Sequence, residues 1–189
     1  MELCTWQGII IPDFRKLTLA PVQRMSQEEA EAFWHRPVGR VRDDLAVELD
    51  LHRDVEGPGL APFVEGLGFE LDTFQREACE AVEGGHGVLV AAPTGAGKTV
   101  VGEFAVHLAL ARGQKAFYTT PIKALSNQKY AELVAVHGPD RVGLLTGDTS
   151  INGSAEIVVM TTEVLRNMLY AGSSTLANLG FVVMDEVHY

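Results

Sequence analysis

Short apolar segments recur along the chain from about residue 60, and most are followed by a segment with helical periodicity. A strand with one solvated face alternates apolar and polar residues, whereas a strand covered on both faces is apolar throughout. The pattern therefore predicts an α/β fold with a doubly wound parallel sheet, which has helices on both faces. The predicted strands are Val88–Ala92, Lys115–Thr119, Val142–Leu145, Ile157–Met160 and Phe181–Met184.

Helices are predicted between these strands and before the first of them. One runs over Thr73–Glu83, and a second begins at Lys98 and ends before Arg112-Gly113. Two more run from about Ile122 to Val136 and from Glu163 to Tyr170. Because parallel strands end at the same edge of a sheet, polar motifs that follow the strands are expected to meet there.

A glycine-rich loop joins the first predicted strand to the following helix and reads Ala-Pro-Thr-Gly-Ala-Gly-Lys-Thr from Ala92 to Thr99. Glycines let backbone N–H groups approach a triphosphate closely, and the helix N-terminus adds partial positive charge. In this pattern Lys98 reaches the β- and γ-phosphates and the Thr99 hydroxyl holds Mg²⁺. The strict pattern has Gly where this chain has Ala92, a position that only begins the turn. The residues predicted to bind the nucleotide are Thr94, Gly95, Ala96, Gly97, Lys98 and Thr99.

An acidic pair follows the last predicted strand directly. A carboxylate at the end of a buried strand can coordinate Mg²⁺ through water, and its neighbour can orient and deprotonate an attacking water. We assign Asp185 to the metal and Glu186 to the base. Two acids at a strand end can also mark its exit into solvent, and it is the phosphate loop upstream that favours catalysis.

The N-terminal residues, 1–60, carry no such pattern. They contain one plausible helix from Ser26 to Trp34, followed by an acidic stretch that ends in Gly57-Pro58-Gly59. We expect this N-terminal extension to be loosely ordered. The alternative is an appendage to the domain that follows. The formal net charge of −10 comes mostly from the N-terminal part of the chain. Residues 1–86 hold 17 acidic and 8 basic side chains, whereas residues 87–189 hold 8 acidic and 7 basic side chains. Charge alone thus neither supports nor excludes a nucleic-acid partner.

The number of cysteines and the length of the apolar runs bear on the cellular compartment of the protein. Cys4 and Cys79 cannot form a disulfide framework, which favours a reducing cytoplasm. No segment reaches the ~18 apolar residues of a membrane helix. Cys79 lies near the apolar face of its predicted helix and reads as a small buried hydrophobe rather than a nucleophile.

The strand ends together resemble those of one enzyme family. Asp185-Glu186-Val187-His188 reads as a DEVH box, and with the phosphate loop it resembles superfamily 2 helicases, in particular the Ski-like RNA helicases. The resemblance covers roughly residues 60–189 and includes motifs in the family's order. The further segments that carry it are 69–75, similar to an adenine-recognition motif, 119–129, similar to the Ia region, 144–148, similar to the next conserved segment, and 160–170, similar to a backbone-contacting segment.

The resemblance implies a RecA-like ATP-binding domain that uses ATP and Mg²⁺ and contacts the RNA or DNA backbone. Gln75 should contact the adenine edge with Phe69 as a ring neighbour, although Asp72 and Gln75 also have the spacing of an ordinary capping box, and both can hold. The residues implied to contact the nucleic acid are Pro121, Lys123, Gly147, Thr161, Thr162 and Arg166. The threonines among them have an alternative reading as helix caps.

The resemblance also implies that residues 61–189 are the first motor domain cut after the DEVH box. A second RecA-like domain with its arginine finger would then be needed for hydrolysis, and this chain alone would bind ATP at most. In the family, the strand after the DEVH box lies between the phosphate-loop strand and the DEVH strand. Its absence would leave a gap in the sheet, from which we expect low stability or aggregation. A thermal melt without a sharp transition above ~50 °C is the expected result.

Three readings remain open from the sequence. The first is an ATP-dependent RNA helicase, and the second is a DNA translocase or repair helicase of the same superfamily. The third is a non-enzymatic remnant of a broken gene. RNA or DNA stimulation of ATPase activity separates the first two, and the reading frame beyond codon 189 tests the third.

Overall fold

A computed structural model describes residues 6–12, 59–92 and 95–186 of the chain. The strands are β1 Trp6–Pro12, β2 Val88–Ala91, β3 Lys115–Thr120, β4 Val142–Leu145, β5 Ser150–Ile151, β6 Ile157–Thr161 and β7 Leu179–Asp185. The helices are α1 Leu60–Gly66, α2 Thr73–Glu83, α3 Thr99–Ala111, α4 Lys123–His137 and α5 Thr162–Tyr170, with a 3₁₀ turn at Ser174–Leu176.

The strands form one sheet in the order β2-β1-β7-β3-β6-β4-β5. β3 pairs in parallel with both β6 and β7, and β4 pairs in parallel with β6. β1 is antiparallel to β2 and to β7, so β2 points in the same direction as the parallel strands. The predicted α/β class with a mostly parallel sheet is confirmed, and five strands end at one edge.

The predicted gap between the phosphate-loop strand and the DEVH strand is wrong, because β1 lies between them. Ile9 is opposite Leu89 of β2 and opposite Met184 of β7. A central strand needs backbone partners on both sides, and the short apolar run around Ile9 meets that need within the sheet. The reason given for low stability therefore does not apply to this fold. Residues 13–58, including the predicted helix from Ser26 to Trp34, lie outside the described residues.

Helices cover both faces of the sheet, and each face has its own core. One core packs α1, α2, α3 and α4 against one face, with Phe104 and Tyr118 among its largest buried side chains. The other packs α5 and the 3₁₀ turn against the opposite face, around Phe117 and Met160. Tyr118 and Phe117 are neighbours on β3, and their side chains take opposite faces as strand geometry requires.

The element boundaries agree with the sequence to within one or two residues. α2 and β4 match their predicted bounds, α4 begins at Lys123 rather than Ile122, and α5 begins at Thr162. The structure adds β1, α1, β5 and the 3₁₀ turn, which the sequence pattern does not predict. Within the residues that the structure describes, no helix has the length and apolar character needed to cross a membrane.

Candidate active site and nucleic-acid surface

The phosphate loop turns sharply between β2 and α3. Gly95 has φ 83° and Gly97 has φ 76°, the left-handed region that glycine adopts without strain. Across the loop, Lys98 Nζ donates a hydrogen bond to the Ala92 carbonyl oxygen at 2.5 Å. Thr99 is the first residue of α3, so its hydroxyl lies at the helix N-terminus as predicted. Pro93 and Thr94 lie outside the described residues.

The acidic pair stands at the carboxyl end of β7, and each Asp185 oxygen accepts one hydrogen bond from the described part of the chain. The Tyr118 hydroxyl donates to Oδ2 at 2.9 Å, and the Glu186 backbone N–H donates to Oδ1 at 3.0 Å. Glu186 has φ 51°, a left-handed conformation that is uncommon for a non-glycine residue. Such backbone strain costs on the order of 1–3 kcal/mol and tends to occur at functional sites.

Thr99, the last residue of the phosphate loop, and the acidic pair line one cavity of about 200 Å³. Thr99, Asp185 and Glu186 line one side of it, and Thr120 lies at the end of β3. The remaining lining residues belong to α4: Leu125, Gln128, Lys129 and Glu132. The cavity therefore brings together the three side chains to which the sequence assigned metal binding and base catalysis.

The donor set fits Mg²⁺ held together with phosphates and water. Thr99 and Asp185 offer the hard oxygen ligands that Mg²⁺ prefers, and this ion usually takes only one or two protein ligands beside substrate phosphates. Among the residues described, no three His, Cys, Asp or Glu side chains cluster as a metal site by themselves. A metal here would accordingly depend on the nucleotide.

Gln75 ties the start of α2 to the phosphate loop. Its Oε1 accepts the Asp72 backbone N–H at 2.9 Å, which is the predicted capping box. Its Nε2 donates to the Gly97 carbonyl oxygen at 3.0 Å, and the side chain is buried. A Cβ at Gly97 would come within 2.6 Å of Nε2. The capping reading is confirmed, while the contact of Gln75 with adenine, and that of the exposed Phe69, stay predictions.

The residues implied to contact nucleic acid lie at the ends of β3, β4 and β6. Lys123 Nζ pairs with Asp148 Oδ2 at 2.5 Å, and the hydrogen bond from Lys123 lowers the pKa of Asp148 below its usual value. Arg166 pairs with Glu163 at 3.3 Å on the exposed side of α5. Gly147 is exposed and Pro121 immediately precedes Ile122, the N-cap of α4. These basic groups are thus accessible, and each already has an acidic neighbour.

The two threonines at the start of α5 have different environments. Thr161 is the N-cap of the helix but makes no side-chain capping bond. Thr162 Oγ1 donates to the Thr120 carbonyl oxygen at 3.2 Å. Since a hydroxyl has one proton, the Thr162 side chain can donate to a phosphate only by releasing Thr120. Its role as a phosphate contact stays a prediction, as does that of Thr161.

Sequence reasoning missed Tyr118, which donates a hydrogen bond to Asp185, and the charged residues near the Tyr118 side chain. Lys129 is almost fully buried, and its Nζ lies 5.2 Å from the centre of the Tyr118 ring and 2.6 Å from Glu132 Oε2. The hydrogen bond from Lys129 lowers the pKa of Glu132, whereas burial raises the pKa of Glu103 on α3. A tyrosine within an apolar strand was the available signal, because a buried phenol usually has a hydrogen-bond partner.

Cys79 has no part in this site. It is fully buried in the core of α2, and burial raises the pKa of its thiol to about 12. Only the thiolate is nucleophilic, so this side chain packs as the predicted small hydrophobe.

A comparison with protein-family models matches residues 72–189 to the DEAD/DEAH box helicase model. This match agrees with the phosphate loop, the acidic pair and their order along the sheet. The chain belongs to the DEAD/DEAH box helicase family. Its helicase relatives include the probable helicase HelY of Mycobacterium tuberculosis, with 70% identity over 127 residues, 67% of this chain. The antiviral helicase SKI2 of Saccharomyces cerevisiae is 51% identical over 159 residues, 82% of the chain, and the exosome RNA helicase MTR4 of Homo sapiens is 52% identical over 121 residues, 64% of the chain.

The resemblance to Ski-like helicases is therefore confirmed. The aligned part of the chain covers 14% of the HelY protein, 12% of SKI2 and 11% of MTR4. The chain accordingly corresponds to a small part of each relative.

Proposed function

We propose that this chain is the ATP-binding part of the first motor domain of an ATP-dependent RNA helicase. The observation that carries the proposal is the single cavity that Thr99, Asp185 and Glu186 share. A metal-holding hydroxyl, a metal-holding carboxylate and a general base in one site are what phosphoryl transfer to water requires. The names of the relatives SKI2 and MTR4 add the helicase activity, and that of MTR4 adds RNA.

Each residue of the site has a distinct chemical task. Lys98, held across the loop by the Ala92 carbonyl, would exchange that partner for the β- and γ-phosphates. Thr99 and Asp185 would hold Mg²⁺, which when bound supplies charge neutralisation at the phosphates. Glu186 would orient a water and accept its proton. The arginine finger is expected from a second motor domain.

The ends of β3, β4 and β6 would hold the nucleic-acid backbone. Backbone N–H groups at a helix N-terminus bind phosphates without reading base sequence. Lys123 and Arg166 add positive charge on the same surface. We infer a contact that depends on charge and salt and not on sequence.

The experiment is an ATPase assay on the complete protein that contains this chain. Single-stranded RNA is expected to stimulate hydrolysis more than single-stranded DNA of the same length and sequence. Stronger stimulation by DNA would favour a DNA translocase. Hydrolysis that responds to neither nucleic acid would contradict the proposal.

Lys123→Ala is expected to weaken RNA binding about 2–5-fold. It should also reduce the slope of log affinity against log salt concentration by about 0.7, because one contact with a phosphate of single-stranded RNA is lost. Asp148→Asn is expected to have the opposite effect on affinity, because Asp148 competes with phosphate for the same ammonium group. Fluorescence anisotropy with a labelled single-stranded RNA, at several salt concentrations, measures both quantities.

Lys115→Ala is the matched control for that experiment. Lys115 begins β3 and so lies at the opposite edge of the sheet. The Lys115→Ala substitution removes the same charge from the chain, and the slope of log affinity against log salt concentration should equal that of wild type. Equal losses for Lys115→Ala and Lys123→Ala would show a general charge effect and would contradict a contact at Lys123.

A further inference from the structure

Tyr118 places a phenol hydroxyl within an otherwise apolar layer of the core. The residue lies in the middle of β3 between Val159 of β6 and Val183 of β7, and it is 1% exposed. Its hydroxyl reaches the carboxyl edge of the sheet and donates to Asp185 Oδ2 at 2.9 Å. A buried phenylalanine would pack in the same place, so the hydroxyl itself calls for an explanation.

That hydroxyl completes the orientation of the Asp185 carboxylate. The Glu186 N–H is on Oδ1 and the Tyr118 hydroxyl is on Oδ2, so one donor holds each oxygen. Each carboxylate oxygen has two acceptor sites, which leaves one on each for a further ligand. Two donors on two atoms fix the plane of the carboxylate, whereas one donor would leave it free to rotate.

The Tyr118 ring is itself held on two sides. A Cβ added to Gly102 of α3 would lie 3.3 Å from Tyr118 Cε2 and 3.2 Å from Val183 Cγ1, so the glycine gives the ring its space. On another side, Lys129 Nζ of α4 lies 5.2 Å from the ring centre, within the range of a cation–π contact. The hydroxyl therefore has a fixed position relative to α3, which begins at Thr99, and to α4.

We propose that Tyr118 is a positioning residue for Asp185, which holds the carboxylate in the orientation that Mg²⁺ coordination requires in the nucleotide complex. The inference rests on the proposed function of the site. Residues that orient a metal ligand by hydrogen bonding typically contribute about 10–100-fold to metal affinity or activity. A phenol hydroxyl can donate its proton to a carboxylate oxygen, and the geometry at Asp185 Oδ2 fits that role.

The test variant is Tyr118→Phe in the complete protein, which keeps the ring and its contact with Lys129 and removes only the hydroxyl. The readout is binding of a fluorescent, non-hydrolysable ATP analogue, titrated with and without Mg²⁺. The variant is expected to need about 10–100-fold more Mg²⁺ for half-maximal enhancement of binding, with unchanged Mg²⁺-free binding. ATPase assays should show a lower kcat that rises towards wild type at high Mg²⁺.

Tyr130→Phe is the matched control. Tyr130 lies on α4 and packs against the same core, outside the cavity. Its Mg²⁺ dependence should equal that of wild type, and thermal melts of both variants report folding independently of the metal. A Tyr118→Phe protein with a lower melting temperature but wild-type Mg²⁺ dependence would reduce Tyr118 to a packing role and overturn the inference.

The outcomes separate this inference from the proposed function. Wild-type protein that binds the analogue in a Mg²⁺-dependent manner, with Tyr118→Phe identical to it, would overturn only the assignment of Tyr118. Wild-type protein that binds no nucleotide would overturn both. Nucleotide binding that needs Tyr118 for its Mg²⁺ response, but without RNA-stimulated hydrolysis, would support the positioning role and contradict the helicase proposal.

Discussion

Glu186→Gln is expected to lower the kcat for ATP hydrolysis by about 10²–10⁴-fold, the usual contribution of a positioned general base. The amide has the size and shape of the carboxylate but cannot accept the proton of the attacking water. Glu186 lies beside Asp185 in the cavity, and its backbone N–H holds Asp185 Oδ1. That main-chain bond survives the substitution, and the charge of the metal ligand Asp185 is retained. Mg²⁺-dependent binding of ATP should therefore change less than about threefold.

Single-turnover hydrolysis and analogue binding, measured side by side on the complete protein, test this separation. Glu80→Gln is the matched control, since Glu80 is an exposed residue of α2 that does not line the cavity. A kcat for Glu186→Gln within about threefold of wild type would exclude Glu186 as the general base. A loss of binding as large as the loss of kcat would instead indicate a structural role for the left-handed turn at Glu186.

The parts of the site that the sequence predicts are those encoded locally. The Gly-Lys-Thr loop follows an apolar strand at once, and the acidic pair does the same at Asp185. The start of α2 is equally local, because Asp72 and Gln75 cap the same helix turn. Each of these features is set by residues within a few positions of one another, and chain order alone brings the strand ends to one edge.

The features that the sequence does not predict depend on distant residues. The Tyr118–Asp185 hydrogen bond joins residues 67 positions apart, and the Lys123–Asp148 bond joins residues 25 apart. β1 is the plainest case: a short apolar run read as part of an extension becomes the central partner of β2 and β7. No local pattern carries the register of such pairings, because a strand's partner is chosen by the packing of the whole sheet.

Lys98→Ala is expected to lower kcat/KM for ATP by about 10²–10³-fold, the range for loss of one donor aimed at developing charge. Two interactions disappear together. The ammonium group no longer meets the β- and γ-phosphates, and the bond from Nζ to the Ala92 carbonyl that closes the loop is lost. Affinity for the ATP analogue should therefore fall together with hydrolysis, unlike the pattern expected for Glu186→Gln.

Lys98→Arg separates charge from geometry in this prediction. The guanidinium keeps the positive charge but replaces a compact point charge with a wide planar fork. The loop turns tightly here, since Gly95 and Gly97 both adopt a left-handed backbone conformation and Gln75 contacts the Gly97 carbonyl. Lys98→Arg is accordingly expected to impair hydrolysis nearly as much as Lys98→Ala. Lys115→Ala, at the opposite edge of the sheet, is the control and should remain active. Recovery of full activity by Lys98→Arg would mean that positive charge alone suffices, and the compact contact of Lys98 with the phosphates would be refuted.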